Sequence, residues 1–158
     1  MDILNSEFLF FLRCAQQNNL RYLLIGGYAV NYYGYTRNTD DMDIWLAPNN
    51  ENKKAFIDTL LCMKYPAKDV APLLDKDFTK YFMGSIGSKE TKIDIITIVH
   101  YAISYDDAEK QKQVFEIEPD VFLNIVPYNI LKDMKLRSRR EKDLFDIARL
   151  EEILNKKK

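Results

Sequence analysis

The chain has 158 residues, 47% of them hydrophobic and 30% charged, with a formal net charge of -1. That length makes one domain with a core of its own, and that balance excludes a disordered chain. Near-neutral charge also excludes a protein drawn as a whole to nucleic acid or to an anionic membrane, so any such contact must be local.

In chain order, residues 2–18 place Ile3, Leu4, Phe8, Phe11, Leu12 and Ala15 on one stripe, the rhythm of an amphipathic helix that Asn18 and Asn19 end. The apolar run inside it is too short for a membrane span and lacks a basic leader, so no signal peptide is expected. Cys14 and Cys62 stand far apart without a CxxC or Cys/His cluster. They predict neither a disulfide framework nor a zinc site, and point to a reducing cytoplasm.

Tyr22 to Ile25 then reads as a buried strand, Gly26-Gly27 as the turn after it, and Tyr28 to Tyr33 as a short helix stopped at Gly34. Asp41 to Leu46 is a second strand and 51–63 a helix with Phe56, Leu60 and Leu61 inward. Residues 66–78 carry no clear pattern. Lys80 to Gly84 and Lys92 to Val99 read as strands of a hairpin across a turn at Ser85 to Ser88. After a polar stretch, 104–112, come short strands at Val114 to Ile117 and Val121 to Val126, and two helices from Tyr128 onward. The order predicts an α/β (α+β) fold, a mixed sheet with flanking helices. A single domain is expected, with a core at about 20–100 and a C-terminal helical part at about 128–155.

Asp40, Asp41 and Asp43 crowd the entrance of the second strand. Strand side chains alternate, so Asp41 and Asp43 share a face while Asp40 belongs to the turn or the solvent. Two carboxylates side by side repel unless a cation lies between them, and magnesium is usually held by one or two carboxylates plus substrate phosphates. Asp94 sits inside KIDIITIV, where an ionised group needs a partner. Beside the Asp41 strand it completes a three-carboxylate set able to bind metal and activate a hydroxyl; at a sheet edge it merely pairs with Lys92 or Lys89.

Gly26-Gly27, between a strand and a helix, opens backbone amides to an anion. Arg37 enters the Asp41 strand where it can reach a phosphate, and Thr39 can brace the turn. His100, the only histidine, reads as a loop residue, and Tyr32, Tyr33 and Tyr35 as packing.

A glycine pair, a D-x-D after a short helix and a lone strand aspartate together resemble the nucleotidyltransferase-fold superfamily, the DNA-polymerase-beta-like fold. More narrowly, LIGGYA followed by RNTDDMDI, with Lys135 and then Arg140-Glu141-Lys142-Asp143-Leu144-Phe145-Asp146, is similar to the bacterial branch of AbiEii-type abortive-infection toxins. Tyr28 departs from that branch, where many members carry serine or threonine. The resemblance implies that Gly26 and Gly27 bind nucleotide phosphate and that Asp41, Asp43 and Asp94 hold two magnesium ions, with manganese as the alternative. It further implies that Lys135 contacts phosphates, with Asp146 the other candidate of that signature. The same residues read equally as exposed i, i+4 pairs, Arg139 with Asp143 and Lys142 with Asp146.

The implied activity moves a nucleoside monophosphate from a nucleoside triphosphate to a hydroxyl on transfer RNA, a protein or a small molecule, in a toxin-antitoxin or phage-defence setting. The alternative is a non-catalytic nucleotide- or partner-binding module on the same fold. A homodimer through the aromatic surface stays open.

Overall fold

Along the central strands the buried run 42–46 is broken only at Asp43, and 93–96 alternates with Asp94 and Ile96 as the partly covered residues, which leaves both acids on one less covered part of the sheet. The computed structural model describes residues 6–36, 39, 41–99 and 103–157. Within them β1 (Tyr22–Ile25), β2 (Met42–Leu46), β3 (Met83–Ile86), β4 (Ile93–Ile96), β5 (Gln113–Glu118) and β6 (Val121–Ile125) form one sheet in the order β3-β4-β2-β1-β6-β5. The β2–β4 and β1–β6 pairs are parallel and the others antiparallel, so the sheet is mixed, as the sequence predicts.

Met42, Ile44, Leu46, Ile93 and Ile95 are at most 1% exposed and join a single core, while Asp43, Asp94 and Ile96 alternate with them and are only partly covered. Helix α1 (Ser6–Gln17) contributes Phe8, Phe11, Leu12 and Ala15 to that core and packs on α3 (Asn50–Cys62) and β6. The start of α3 is held by Asn49, whose side chain accepts the Asn52 N–H at 2.7 Å. Asn52 in turn bridges the Arg21 and Ala47 backbones from a buried position. Helix α2 (Gly26–Tyr32) follows β1 directly, and α6 (Tyr128–Ser138) and α7 (Glu141–Lys156) close the domain.

Some elements fall elsewhere than the sequence pattern places them. β3 starts at Met83, because the Thr97 hydroxyl accepts the Phe82 N–H at 2.8 Å and donates to the Lys80 carbonyl at 2.7 Å. A side chain thus takes the Phe82 N–H and the Lys80 carbonyl, while the Phe82 carbonyl still accepts the Thr97 N–H at 3.1 Å, and Ser85 lies inside the strand, not in the turn. Residues 66–78 hold α4 (Ala67–Val70) and a 3-10 turn, Ala71–Asp75. The polar stretch holds α5 (Tyr105–Lys110), capped by Ser104 and carrying Asp106 and Asp107 in its first turn. Its Tyr105 packs edge-on against Trp45 with ring centroids 5.3 Å apart.

Cys14 and Cys62 form a disulfide joining α1 to α3, with Cα atoms 5.7 Å apart. This corrects the expectation of two unpaired thiols and removes the cysteine argument for a reducing compartment. Two helices packed side by side make the bond, and a separation of 48 residues leaves no sequence signature of it. Reduction should lower stability by about 2–4 kcal/mol, read from denaturant midpoints with and without reductant. Equal midpoints would show that the bond does not constrain the unfolded chain.

The tyrosines pack as expected. Tyr32 meets Phe115, Tyr33 meets Tyr128 and donates to the Val126 carbonyl at 2.7 Å, and Tyr35 meets Phe145. No helix among the described residues is long and apolar enough to cross a membrane.

Candidate active site

β2 and β4 run side by side in the same direction, with Asp43 directly opposite Asp94. Asp94 is therefore not at a sheet edge: β2 flanks its strand on one side and β3 on the other. It accepts a hydrogen bond from the Ser85 hydroxyl at 2.5 Å and lies 3.3 Å from Lys92 Nζ. That ammonium is also 3.7 Å from Asp41, just ahead of β2.

The chain leaves β1 opposite Asp43 and turns at Gly26, whose φ of +74° is rare for any residue with a side chain. A Cβ at Gly26 would run into the Asp43 carboxylate and stand 3.0 Å from its Cγ. Glycine is needed twice over, for the turn and for the room it leaves in front of Asp43. Gly26→Ala should lose about 1–2 kcal/mol from the backbone conformation alone, as urea denaturation would read. An unchanged urea midpoint would show that the turn does not need glycine.

Burial, and after it the charges of Asp94 and Asp41, push the Asp43 carboxyl up to about 6, with Lys135 pulling the other way. Lys135 reaches the cleft from α6 and is 7% exposed. Its Nζ lies 2.8 Å from Asp143 and 3.2 Å from Asp146, both on α7 and almost fully buried. Asp143 also accepts from the Ser138 hydroxyl at 2.5 Å and from Arg140 Nε at 2.8 Å. Although burial works against it, these donors hold its carboxyl down at about 2.

Between these groups lies a cleft of about 260 Å³, lined by Gly26, Asp43, Asp94, Lys135 and Asp143 and by the apolar Ile25, Met83, Ile96 and Met134. Of the nine residues singled out from the sequence it brings together four, Gly26, Asp43, Asp94 and Lys135. Asp41 stands beside it, tied to Lys92; Gly27 is buried in the first turn of α2; Thr39 is half-buried ahead of β2. Asp146 sits behind Lys135. Arg37, Asp40 and His100 lie outside the described residues. Tyr28 is buried edge-on against Phe8, so it serves the core instead of the cleft.

Asp143, Ser138 and Arg140 are the members of this site that the sequence reading does not single out. Asp143 and Asp146 do not decorate an exposed helix. With Ile147 and Leu150 they form the buried stripe of α7, while Leu144 and Phe145 face solvent. An i, i+3, i+4, i+7 stripe that begins with two aspartates was the available signal.

No family model matches the sequence, and no curated protein matches it. Among solved structures, the lincosamide antibiotic adenylyltransferase LnuA with lincomycin bound is similar over 96% of this chain and 98% of its own, with a TM-score of 0.51 and 16% identity. The likeness defines the architecture: the α+β mixed sheet of this chain is a nucleotidyltransferase fold.

Proposed function

We propose that the protein is a metal-dependent nucleotidyltransferase that moves a nucleoside monophosphate from a nucleoside triphosphate to a hydroxyl. One observation carries the reading: Asp43 and Asp94 face each other across parallel strands, with a glycine clearing the space before Asp43. A divalent magnesium ion fits this donor set, since two hard carboxylate oxygens beside an open cleft leave coordination positions for phosphates. Bound there, it would neutralise charge on the triphosphate and on the departing pyrophosphate.

The residues of the chain supply the rest. Gly26 admits a phosphate close to the acids, and Lys135, fixed from behind by Asp143 and Asp146, presents a positive charge to the same space. Asp94 takes the proton of the acceptor hydroxyl while Ser85 holds the carboxylate in place. The acceptor oxygen then bonds to the α-phosphorus, the bond from that phosphorus to the bridging oxygen breaks, and pyrophosphate leaves. Positioning and charge neutralisation do most of the work.

A small hydroxylated molecule with an apolar body is the acceptor class the cleft favours, because Met83, Ile96 and Met134 stand beside Asp94. Likeness to a lincosamide antibiotic adenylyltransferase supports the same choice and favours ATP as donor. The basic residues Lys135, Arg137, Arg139, Arg140 and Lys142 around the α6–α7 turn hint by composition at a polyanion, but Lys135 is buried and Arg140 is engaged by Asp143.

The test is transfer of label from each of the four α-labelled nucleoside triphosphates to a panel containing lincomycin and other small alcohols, transfer RNA and the protein itself. Label on any acceptor, lost in Asp94→Asn, supports the reading. Transfer undiminished in that variant would remove Asp94 as the base. No label on any acceptor would favour the binding module.

A further inference from the structure

Lys92 is built into the acid cluster by strand geometry. In the parallel β2–β4 pair Met42 faces Ile93, and the Met42 N–H donates to the Lys92 carbonyl at 3.0 Å. The preceding residues, Asp41 and Lys92, are therefore neighbours across the two strands. Lys92 also stands two residues before Asp94, which puts both side chains on one face. Its ammonium lies 3.3 Å from Asp94 and 3.7 Å from Asp41, so it serves two of the three acids expected to hold metal ions.

That placement changes the expected ion count. Asp43 and Asp94 face each other and can share one cation with a triphosphate, while the Lys92 ammonium lies within reach of both Asp94 and Asp41, the pair that a second ion would have to join. An ammonium is a compact point charge on a flexible stem and can neutralise a carboxylate without the open coordination sphere that a second ion needs.

Resting on the nucleotidyltransferase reading above, we infer that Lys92 stands in for a second divalent cation. The nucleotide-loaded site then holds one ion, on Asp43 and Asp94, and Lys92 neutralises Asp41. Removing the charge while keeping the stem frees Asp41 for a second ion. Lys92→Arg keeps the charge and keeps the count at one.

The experiment counts bound Mn2+ per bound nucleotide by electron paramagnetic resonance, using the α,β-methylene analogue of whichever nucleoside triphosphate binds most tightly. Wild type and Lys92→Arg should bind one ion and Lys92→Met two, and adding Asp41→Asn to Lys92→Met should return the count to one. Lys92 has a side chain 43% exposed, so these variants keep the fold, and a thermal melt checks it. Two ions in wild type, or one in Lys92→Met, overturn the inference and leave the nucleotidyltransferase reading intact. No Mn2+ with any nucleotide analogue overturns that reading, and the inference with it.

Discussion

Asp43→Asn should stabilise the nucleotide-free protein above pH 6 and, on the proposed reading, sharply lower transfer. In the folded chain the Asp43 carboxyl is pushed up to about 6 from an ordinary 3.8, first by burial and then by Asp94 and Asp41. Between those values the folded state binds more protons than the unfolded state. Stability therefore falls as pH rises through the window and stays reduced above it, by roughly 3 kcal/mol in full. The asparagine carries no charge, so that penalty disappears, while transfer falls by at least about 100-fold because charge neutralisation at the phosphates is lost. Denaturant melts at pH 5 and pH 8 check it. Wild type should be weaker at pH 8 and the variant should lack that loss; magnesium with nucleotide should restore wild type. Equal pH dependence in both proteins would mean that Asp43 is not strained by its neighbours.

Lys135→Met should be the most destabilising single change at the site. It removes the ammonium between Asp143 and Asp146 and leaves two carboxylates buried with less compensation, at a cost of about 3–5 kcal/mol. Adding Asp143→Asn and Asp146→Asn should recover most of that loss without recovering transfer. The double-acid variant alone tests the acid limb: Asp143, held down at about 2, contributes stability that is present above its ordinary value and lost as pH falls toward 2. Losing that limb is its expected signature in an acid titration followed by circular dichroism. A triple variant as unstable as Lys135→Met would show that the lysine acts by packing.

The central part of the fold was legible because its signals are local and strong. β2 and β4 are apolar at every position but one, and that one is an acid in each, so Asp43 and Asp94 stand out from the sequence alone. The register that sets them opposite each other lies between strands 50 residues apart and could only be stated as a condition. Helix α5 was hidden by its six residues, too few for a period to show, although Ser104 with two acids after it is a capping signal. The Cys14–Cys62 bond and the Thr97 bonds that delay β3 arise from tertiary packing and leave no trace in spacing. On α7, charge spacing alone reads Asp143 and Asp146 as halves of exposed i, i+4 pairs while the resemblance makes Asp146 a site candidate, and the helical stripe puts both with Ile147 and Leu150. Burial decided their partner, and the partner is Lys135.

The most direct test of the account is calorimetric titration of each nucleoside triphosphate into the protein, with magnesium and then with chelator, on wild type and on Asp41→Ala/Asp43→Ala. Binding to at least one nucleotide that needs magnesium and vanishes in the double variant is the predicted result. Binding that survives both the chelator and the double variant would contradict it, and would move the nucleotide away from the acids of β2.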